Sequence, residues 1–338
     1  MKKFFGKMPS GEEASLYTIS CGCVTASITD CGAALMALTV PDSTGALRDV
    51  VLGYDSAEDC LKGTACIGGT VGRNANRLKG ASFSLGGRDY HLTANEGSNN
   101  LHSGPDAYYF RLWQVASHQE NSIRFFLHSP SGDQGFPGNA DISVTYSLDA
   151  QGGLHIIYDG VCDQDTVFNL TNHSYFNLAG HDHPEKAMDQ LLTLPARFFT
   201  PADRESIPTG ETRPVSGTPM DFRSPKPIGQ DIGKEYEPLQ FQGGYDHNYE
   251  VFCNPCALLQ DPESGLTMTV STDCPGLQFY SGNYLSERGK GGVFYGKRGG
   301  IALETQFYPD ALHKPQWAQP LVKAGNHYHS ETVYRFFR

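Results

Sequence analysis

The chain has 338 residues, with 26 basic against 37 acidic side chains, a net charge of −11 and 11% aromatic residues. Binding a phosphate backbone or an anionic membrane surface calls for clustered cations, and the nearest thing to a basic run, Gly289–Gly300, has only three cations set among glycines. Nucleic acid and membrane are therefore excluded as partners, and 38 Gly and 20 Pro with few periodic helix-forming runs predict an all-β protein.

In chain order, the N-terminal stretch MKKFFGKMPSGEEAS opens with positive charge but no apolar segment follows, so no signal peptide is expected. No later run approaches a membrane span. Phe83 and Leu85, then Gly86-Gly87, then Tyr90 and Leu92 form a hairpin pattern with a tight glycine turn. Arg111–Ser129 reads as a second strand pair. Ile142, Val144, Tyr146 and Leu148 alternate, turn at Ala150–Gly153, and return as Leu154, Ile156 and Tyr158. The scheme repeats around Asp261–Gly265, with Leu266, Met268 and Val270 on one face. Long loops lie between, at Thr93–Gly104, Ser129–Gly138 and Pro195–Tyr245, the last with a helical turn expected near Pro227–Ile232. Hairpin after hairpin, with no compositional break, predicts a large antiparallel β-sandwich forming a single domain over residues 1–338.

Nine cysteines at irregular spacing include one C-x-x-C, Cys253 and Cys256, with neither a second pair nor a βαβ context. They read as reduced thiols, many of them buried, and fit a cytoplasmic location.

Several segments crowd polar groups into otherwise structured sequence. GGTVGRNANRL, Gly68–Leu78, has a phosphate loop's glycines but not its spacing or Lys-Ser/Thr ending; its amides and arginines suit hydroxyls at least as well. NEGSNNLHSG, Asn95–Gly104, holds His102, and NLTNHSYFNL, Asn169–Leu178, holds Asn172 and His173. GGYDHNYEV, Gly243–Val251, holds Asp246, and QFYSGNYL begins at Gln278. In GIALETQFYPDALH, Glu304 alternates with Ile301, Leu303, Thr305 and Phe307, and a glutamate in an apolar strand is costly to bury unless paired or used. Taken singly, each has a plain structural role: an Asn-pinned turn, an exposed loop histidine, an Asp cap, an outward-facing charge. Taken together, amides, carboxylate, arginine and aromatic rings describe a site for vicinal hydroxyls and the apolar face of a sugar. Metal is not expected. His181–His183 reads as a loop, and His327–His329 as a terminal strand without a clear carboxylate partner.

GRNANR, NEGSNNLHSG, NLTNHSYFNL, GYDHNYE, QFYSGN, LETQFYPDA and AGNHYHSETVYRF, in that order from about Gly68 to the C-terminus, resemble the aldose 1-epimerases, the galactose mutarotase family. The resemblance implies a galactose mutarotase-like supersandwich with few short helices. It also implies no cofactor, a monosaccharide substrate, and interconversion of the α and β anomers of free hexoses. Motif by motif it implies Glu304 as catalytic base, His173 as catalytic acid and His102 as an assisting group near the ring oxygen. Asn76, Arg77, Asp246 and Gln278 are implied as holders of sugar hydroxyls. One departure is Ser103-Gly104, where the family often has Gly-Gly. The polar neighbours of His173 are expected to keep it hydrated enough to protonate. Three rivals remain open from sequence: a glycosidase with Asp246 as second carboxylate, an epimerase of phosphorylated sugars using Arg73 and Arg77, and a non-catalytic sugar-binding protein.

Overall fold

A computed structural model describes residues 1–337, and the alternating runs are strands in it. The strands of the largest sheet, nine in number, lie in the order Gln114–His118, Ser122–Ser129, Ala140–Leu148, Gly153–Cys162, His327–Phe337, Thr267–Thr272, Ala257–Gln260, Leu191–Thr193 and Lys226–Pro227. The C-terminal strand is thus inserted between Gly153–Cys162 and Thr267–Thr272 and pairs antiparallel with both. Ser82–Leu85 and Arg88–His91 form the expected hairpin, with Gly86 at φ 59° and Gly87 at φ 76°, the mirror-image turn that matches strand twist.

A second sheet has six strands, in the order Tyr175–Phe176, Ile301–Gln306, Gly276–Tyr280, Asp246–Glu250, Phe198–Thr200 and Arg213–Pro214. A third, N-terminal sheet of five strands spans Lys2–Asp49, a region whose elements the sequence patterns did not bring out. One continuous apolar core joins all three: Ile19 and Ile28 of the N-terminal sheet, Val144, Ile156 and Val270 of the nine-stranded one, and Leu277, Phe279 and Leu303 of the six-stranded one. Tyrosine hydroxyls tie the layers across this core, Tyr334 to the Leu303 carbonyl (3.0 Å) and Tyr146 to the Ala33 carbonyl (2.7 Å).

Helices are short. A 3₁₀ turn, Ile228–Gln230, lies where a helical turn was expected. Two six-residue α-helices, Ala57–Lys62 and Glu237–Gln242, were not foreseen, since under two turns give no readable period. The first did carry a start signal: Ser56 caps it by accepting from the Asp59 N–H at 3.2 Å. No helix among the described residues is long and apolar enough to cross a membrane.

The nine cysteines are all unpaired thiols, and Cys31, Cys162, Cys256 and Cys274 are buried. One expectation is corrected. His327 and His329 do have a carboxylate partner, because strand pairing sets Asp159 opposite His329. Asp159 Oδ1 lies 3.3 Å from His327 Nε2 and 2.9 Å from His329 Nδ1. The partner comes from a distant strand, which local spacing could not reveal.

Candidate active site

The six-stranded sheet explains why the sequence around Glu304 alternates. Ile301 and Leu303 point into the core. Glu304 points to the other face, where it sits opposite Gln278, itself opposite Asn248. Asp246, Tyr280, Ala302 and Tyr175 form the next row on that face. Side chains alternate along a strand, so two polar rows share one surface. Glu304 is nevertheless buried, as is every residue of Ile301–Gln306, because loops roof this face.

The roof is built from the other polar motifs. Gly68–Asn76 runs beside Asn169–His173, through the pairing of Thr70–Val71 with Thr171–Asn172 and the bridge of Asn74 to Asn169. Gly68 has φ 72°, and a Cβ there would meet the Leu35 carbonyl oxygen at 2.1 Å, so only glycine fits this approach. Arg77–Leu78 pairs with Asn100–Leu101, which places His102 beside Asn76. Ser103, the departure from Gly-Gly, has φ 70°; its hydroxyl accepts from the Asn74 N–H (2.8 Å) and donates to the Asn74 carbonyl (3.0 Å). The serine therefore fastens the His102 loop to the Asn74–Arg77 loop.

Between sheet and roof lies a cleft of about 230 Å³, lined by Asn76, Arg77, His102, His173, Asp246 and Glu304. Tyr175, Tyr280 and Tyr284 supply aromatic surface, Tyr284 being 72% exposed at the rim. Sequence reasoning missed the Thr64–Cys66 stretch of the lining, and Glu96. Glu96 stands in the conspicuous NEGSNN stretch, but nothing local connects it to Arg77. Gln278 is the one expected sugar-binding residue that does not line the cleft. It sits beside the site, and its Nε2 donates to Asp246 Oδ1 at 2.6 Å.

His173 Nε2 is 3.6 Å from Glu304 Oε1. Burial pushes the Glu304 carboxyl well above its usual range; the charge of Asp246 adds to this and Arg77 opposes it. Burial also pushes the His173 imidazole down to about 4. This corrects the expectation of a hydrated histidine. Its polar neighbours are spent inside the fold: Asn172 donates to the Gly68 carbonyl (2.8 Å) and accepts from the Ser174 N–H (3.0 Å). His173 is 6% exposed, and its Nδ1 and Glu304 Oε2 have no hydrogen-bond partner in the protein. Those two atoms are sealed inside the wall, so the atoms left to meet a hydroxylated ligand are His173 Nε2 and Glu304 Oε1.

His102 is likewise held neutral by burial, with His173 and Arg77 adding to the effect. Its Nδ1 accepts from the Asn76 N–H at 3.2 Å, which assigns the proton to Nε2 and makes that nitrogen a donor. His102, His173 and Glu304 bring one ligand atom each within 4.8 Å of one another, but His102 then offers a cation no bare lone pair.

Two rival sites are also addressed by geometry. Arg73 is fully buried and spends its guanidinium on the Pro137 carbonyl (2.8 Å), Thr166 Oγ1 (3.1 Å) and Ser129 Oγ (2.7 Å). It is a structural staple with nothing to offer a phosphate. Both oxygens of Asp246 are engaged, by Gln278 and by Arg77 Nη1 at 3.4 Å, which suits a fixed acceptor better than a proton-shuttling second carboxylate.

The molecule is thus an all-β supersandwich with a buried carboxylate–imidazole pair on the wall of a polar cleft, a setting suited to a carbohydrate-active enzyme. Residues 15–335 match the family model described as aldose 1-epimerase. The galactose mutarotase of Mus musculus is 38% identical over 341 residues, covering 98% of this chain and 97% of its own. The aldose 1-epimerase of Haemophilus influenzae is 40% identical over 313 residues, 91% of each chain. Among solved structures, an aldose epimerase homologue from C. elegans superposes with a TM-score of 0.89 at 31% identity, over 96% of this chain and 99% of its own. The chain belongs to the aldose 1-epimerase family, isomerases that interconvert sugar anomers, and its fold is galactose mutarotase-like.

Proposed function

We propose that this chain interconverts the α and β anomers of free hexoses such as galactose and glucose, as one domain over residues 1–338 acting in the cytoplasm. The observation that carries the reading is the buried Glu304–His173 pair, 3.6 Å apart, on the wall of a cleft that also presents Arg77, Asp246 and Asn76.

Opening a pyranose requires a proton to leave the anomeric hydroxyl and one to reach the ring oxygen. Glu304 as carboxylate accepts the first and His173 as imidazolium supplies the second. Each positioned group contributes about 10²–10⁴-fold. The pair shares one mobile proton. With the proton on His173 both groups are charged, and their attraction at this separation supports that arrangement. Ring opening leaves the proton on Glu304 and both groups neutral, the state that burial favours. Burial thus favours the opening step, and reclosure restores both charges at the same cost. Rotation about the C1–C2 bond and reclosure on the opposite face reverse the roles. His102 Nε2–H is the donor available beside His173, its ring edge-on at 5.5 Å between centroids. Arg77, Asp246 and Asn76 hold hydroxyls, and Gln278 holds Asp246. No step calls for a metal or a cofactor.

Polarimetry on freshly dissolved α-D-galactose and α-D-glucose tests the reading. Accelerated decay to the ordinary equilibrium rotation, lost in Glu304→Gln, is the expected result. A wild-type protein that binds these sugars without accelerating the decay would make it a sugar-binding protein instead.

A further inference from the structure

Arg77 does not stand alone in the cleft. Glu96 grips its guanidinium with both carboxylate oxygens, Nε to Oε2 at 2.7 Å and Nη2 to Oε1 at 3.0 Å. Such paired contacts fix the plane of the guanidinium as well as its place. The remaining nitrogen, Nη1, faces Asp246 Oδ2 at 3.4 Å. Glu96 is itself fixed. It closes a tight turn with Asn99, its N–H donating to the Asn99 carbonyl (3.2 Å) and its carbonyl accepting from the Asn99 N–H (2.9 Å). Asn95, next to it, bonds both the N–H and the carbonyl of Leu101, at 2.7 and 3.0 Å, and Leu101 precedes His102. One stapled loop thus carries the clamp on Arg77 and the assisting histidine.

The charges point the same way. Glu96, Asp246 and Glu304 line the cleft, with Arg77 as the one arginine or lysine among its lining residues. The Glu96 side chain is 37% exposed and Arg77 13%, so the carboxylate lies on the approach and the cation behind it. A site built for a phosphate or a carboxylate would present the arginine uncovered.

We propose that Glu96 is the positioning and specificity residue of this site: it holds Arg77 in the plane that receives a sugar hydroxyl, and it keeps the mouth of the cleft negative so that uncharged sugars enter and anionic sugars are refused. The proposal rests on the hexose reading above. Glu96 touches Arg77 and acts through it.

The consequences differ from those of a merely structural carboxylate. Glu96→Gln loosens the fork and unmasks the charge of Arg77. KM for galactose rises on the order of tenfold while kcat changes little, because the reacting pair is untouched. The ratio of kcat/KM for galacturonate to that for galactose rises by a similar factor. The groups facing Glu304 are Arg77, Asp246, His102 and His173, with Cys66, Tyr175 and Tyr334 behind them. Of these, the variant strengthens only the cationic influence, so the acid limb of the kcat/KM profile moves to lower pH. Glu96→Asp, which keeps the charge but withdraws the fork, separates the two roles: KM rises as in Glu96→Gln, but galacturonate stays refused.

The experiment is polarimetry of wild type, Glu96→Gln and Glu96→Asp on galactose and galacturonate across pH, with melting temperatures alongside. Wild-type acceleration on galactose with a Glu96→Gln that melts as wild type and shows the same KM, the same discrimination and the same acid limb overturns the proposal alone. No wild-type acceleration on either sugar overturns the hexose reading, and this proposal with it. If Glu96→Gln does not fold, a Glu96→Asp with unchanged KM overturns the positioning role.

Discussion

Replacing Glu304 with glutamine separates the demands of chemistry from those of folding. Glutamine keeps the shape and removes the ionisation. Glu304 is 2% exposed, and its Oε2 has no partner in the protein. Its raised folded-state pKa means the unfolded chain ionises first as pH rises. Wild-type stability therefore declines from the unfolded glutamate range, about pH 4.3, up through the raised folded value. Glutamine carries no such penalty, which at pH above both values is about 1.4 kcal/mol for each pH unit between them, although its amide is as unpaired there as the oxygen it replaces. For a chain of this size each kcal/mol moves the melting temperature by about 2–4 °C or less. The expected outcome is a variant that melts at least ~2 °C above wild type at pH 8, with the gap closing towards pH 4, and whose turnover falls about 10²–10⁴-fold. Polarimetry reads the turnover and calorimetry at several pH values reads the stability. A Glu304→Gln protein that melts below wild type at pH 8 would refute the buried-charge argument. One that keeps turnover within about tenfold would refute the base assignment.

Other perturbations discriminate equally well. His173→Ala should lower kcat about 10²–10⁴-fold with the fold intact, read by polarimetry and circular dichroism. Arg73→Met should destabilise by about 3 kcal/mol or more in urea, because it removes the charged donor that binds Ser129, Pro137 and Thr166 in the interior, yet leave the KM of the folded fraction unchanged. Ser103→Ala keeps the φ of 70° while losing both bonds to Asn74, so KM should rise and stability fall by roughly 1–2 kcal/mol, whereas Ser103→Gly should be milder in urea melts. His155 lies between Asp149 (2.9 Å) and Glu331 (2.8 Å); burial lowers its pKa, but the two carboxylates more than offset that and raise it. Its contribution is thus full below the unfolded value near 6.5 and lost as pH rises through the higher folded value; His155→Leu should cost under about 1 kcal/mol at pH 6, given the partial exposure, and less at pH 9.

The parts of the fold that were legible are those where one face of a strand is apolar and the turn is local. The pair Ala140–Leu148 and Gly153–Cys162 announces itself through alternation and glycine. The N-terminal sheet was not read, although Val24–Thr29 and Ala34–Pro41 alternate in burial, because serine, threonine and alanine occupy much of their surface. At the site, residue identities were visible and partnerships were not. His173, His102, Arg77 and Asp246 stand in polar stretches, and Glu304 stands out from an apolar strand. The clamp between Arg77 and Glu96 spans 19 residues, and the bond from Gln278 to Asp246 spans 32. Spacing along the chain carries no information about either. Gln278 was accordingly expected against the sugar rather than against Asp246.

The polar character of NLTNHSYFNL misled in one respect, and the reason bears on catalysis. Amides flanking a histidine suggest water around it. Here they are consumed in binding backbone: Asn169 accepts from the Phe307 N–H at 2.9 Å and Asn177 donates to the His183 carbonyl at 2.8 Å. The stretch is polar so that an irregular, buried segment can satisfy its own hydrogen bonds, and the histidine it positions is left dry. Dryness suits this reaction. In water, a carboxylate and an imidazolium are each well solvated and gain little by exchanging a proton through a sugar. In a cleft that disfavours both charges, that exchange relieves both as the ring opens, and reclosure restores them. Hydration of His173 would ease its protonation and weaken that gain. The staples around it therefore belong to the chemistry as much as to the fold, and loosening them, as by Asn172→Ala, should lower kcat even though Asn172 does not line the cleft.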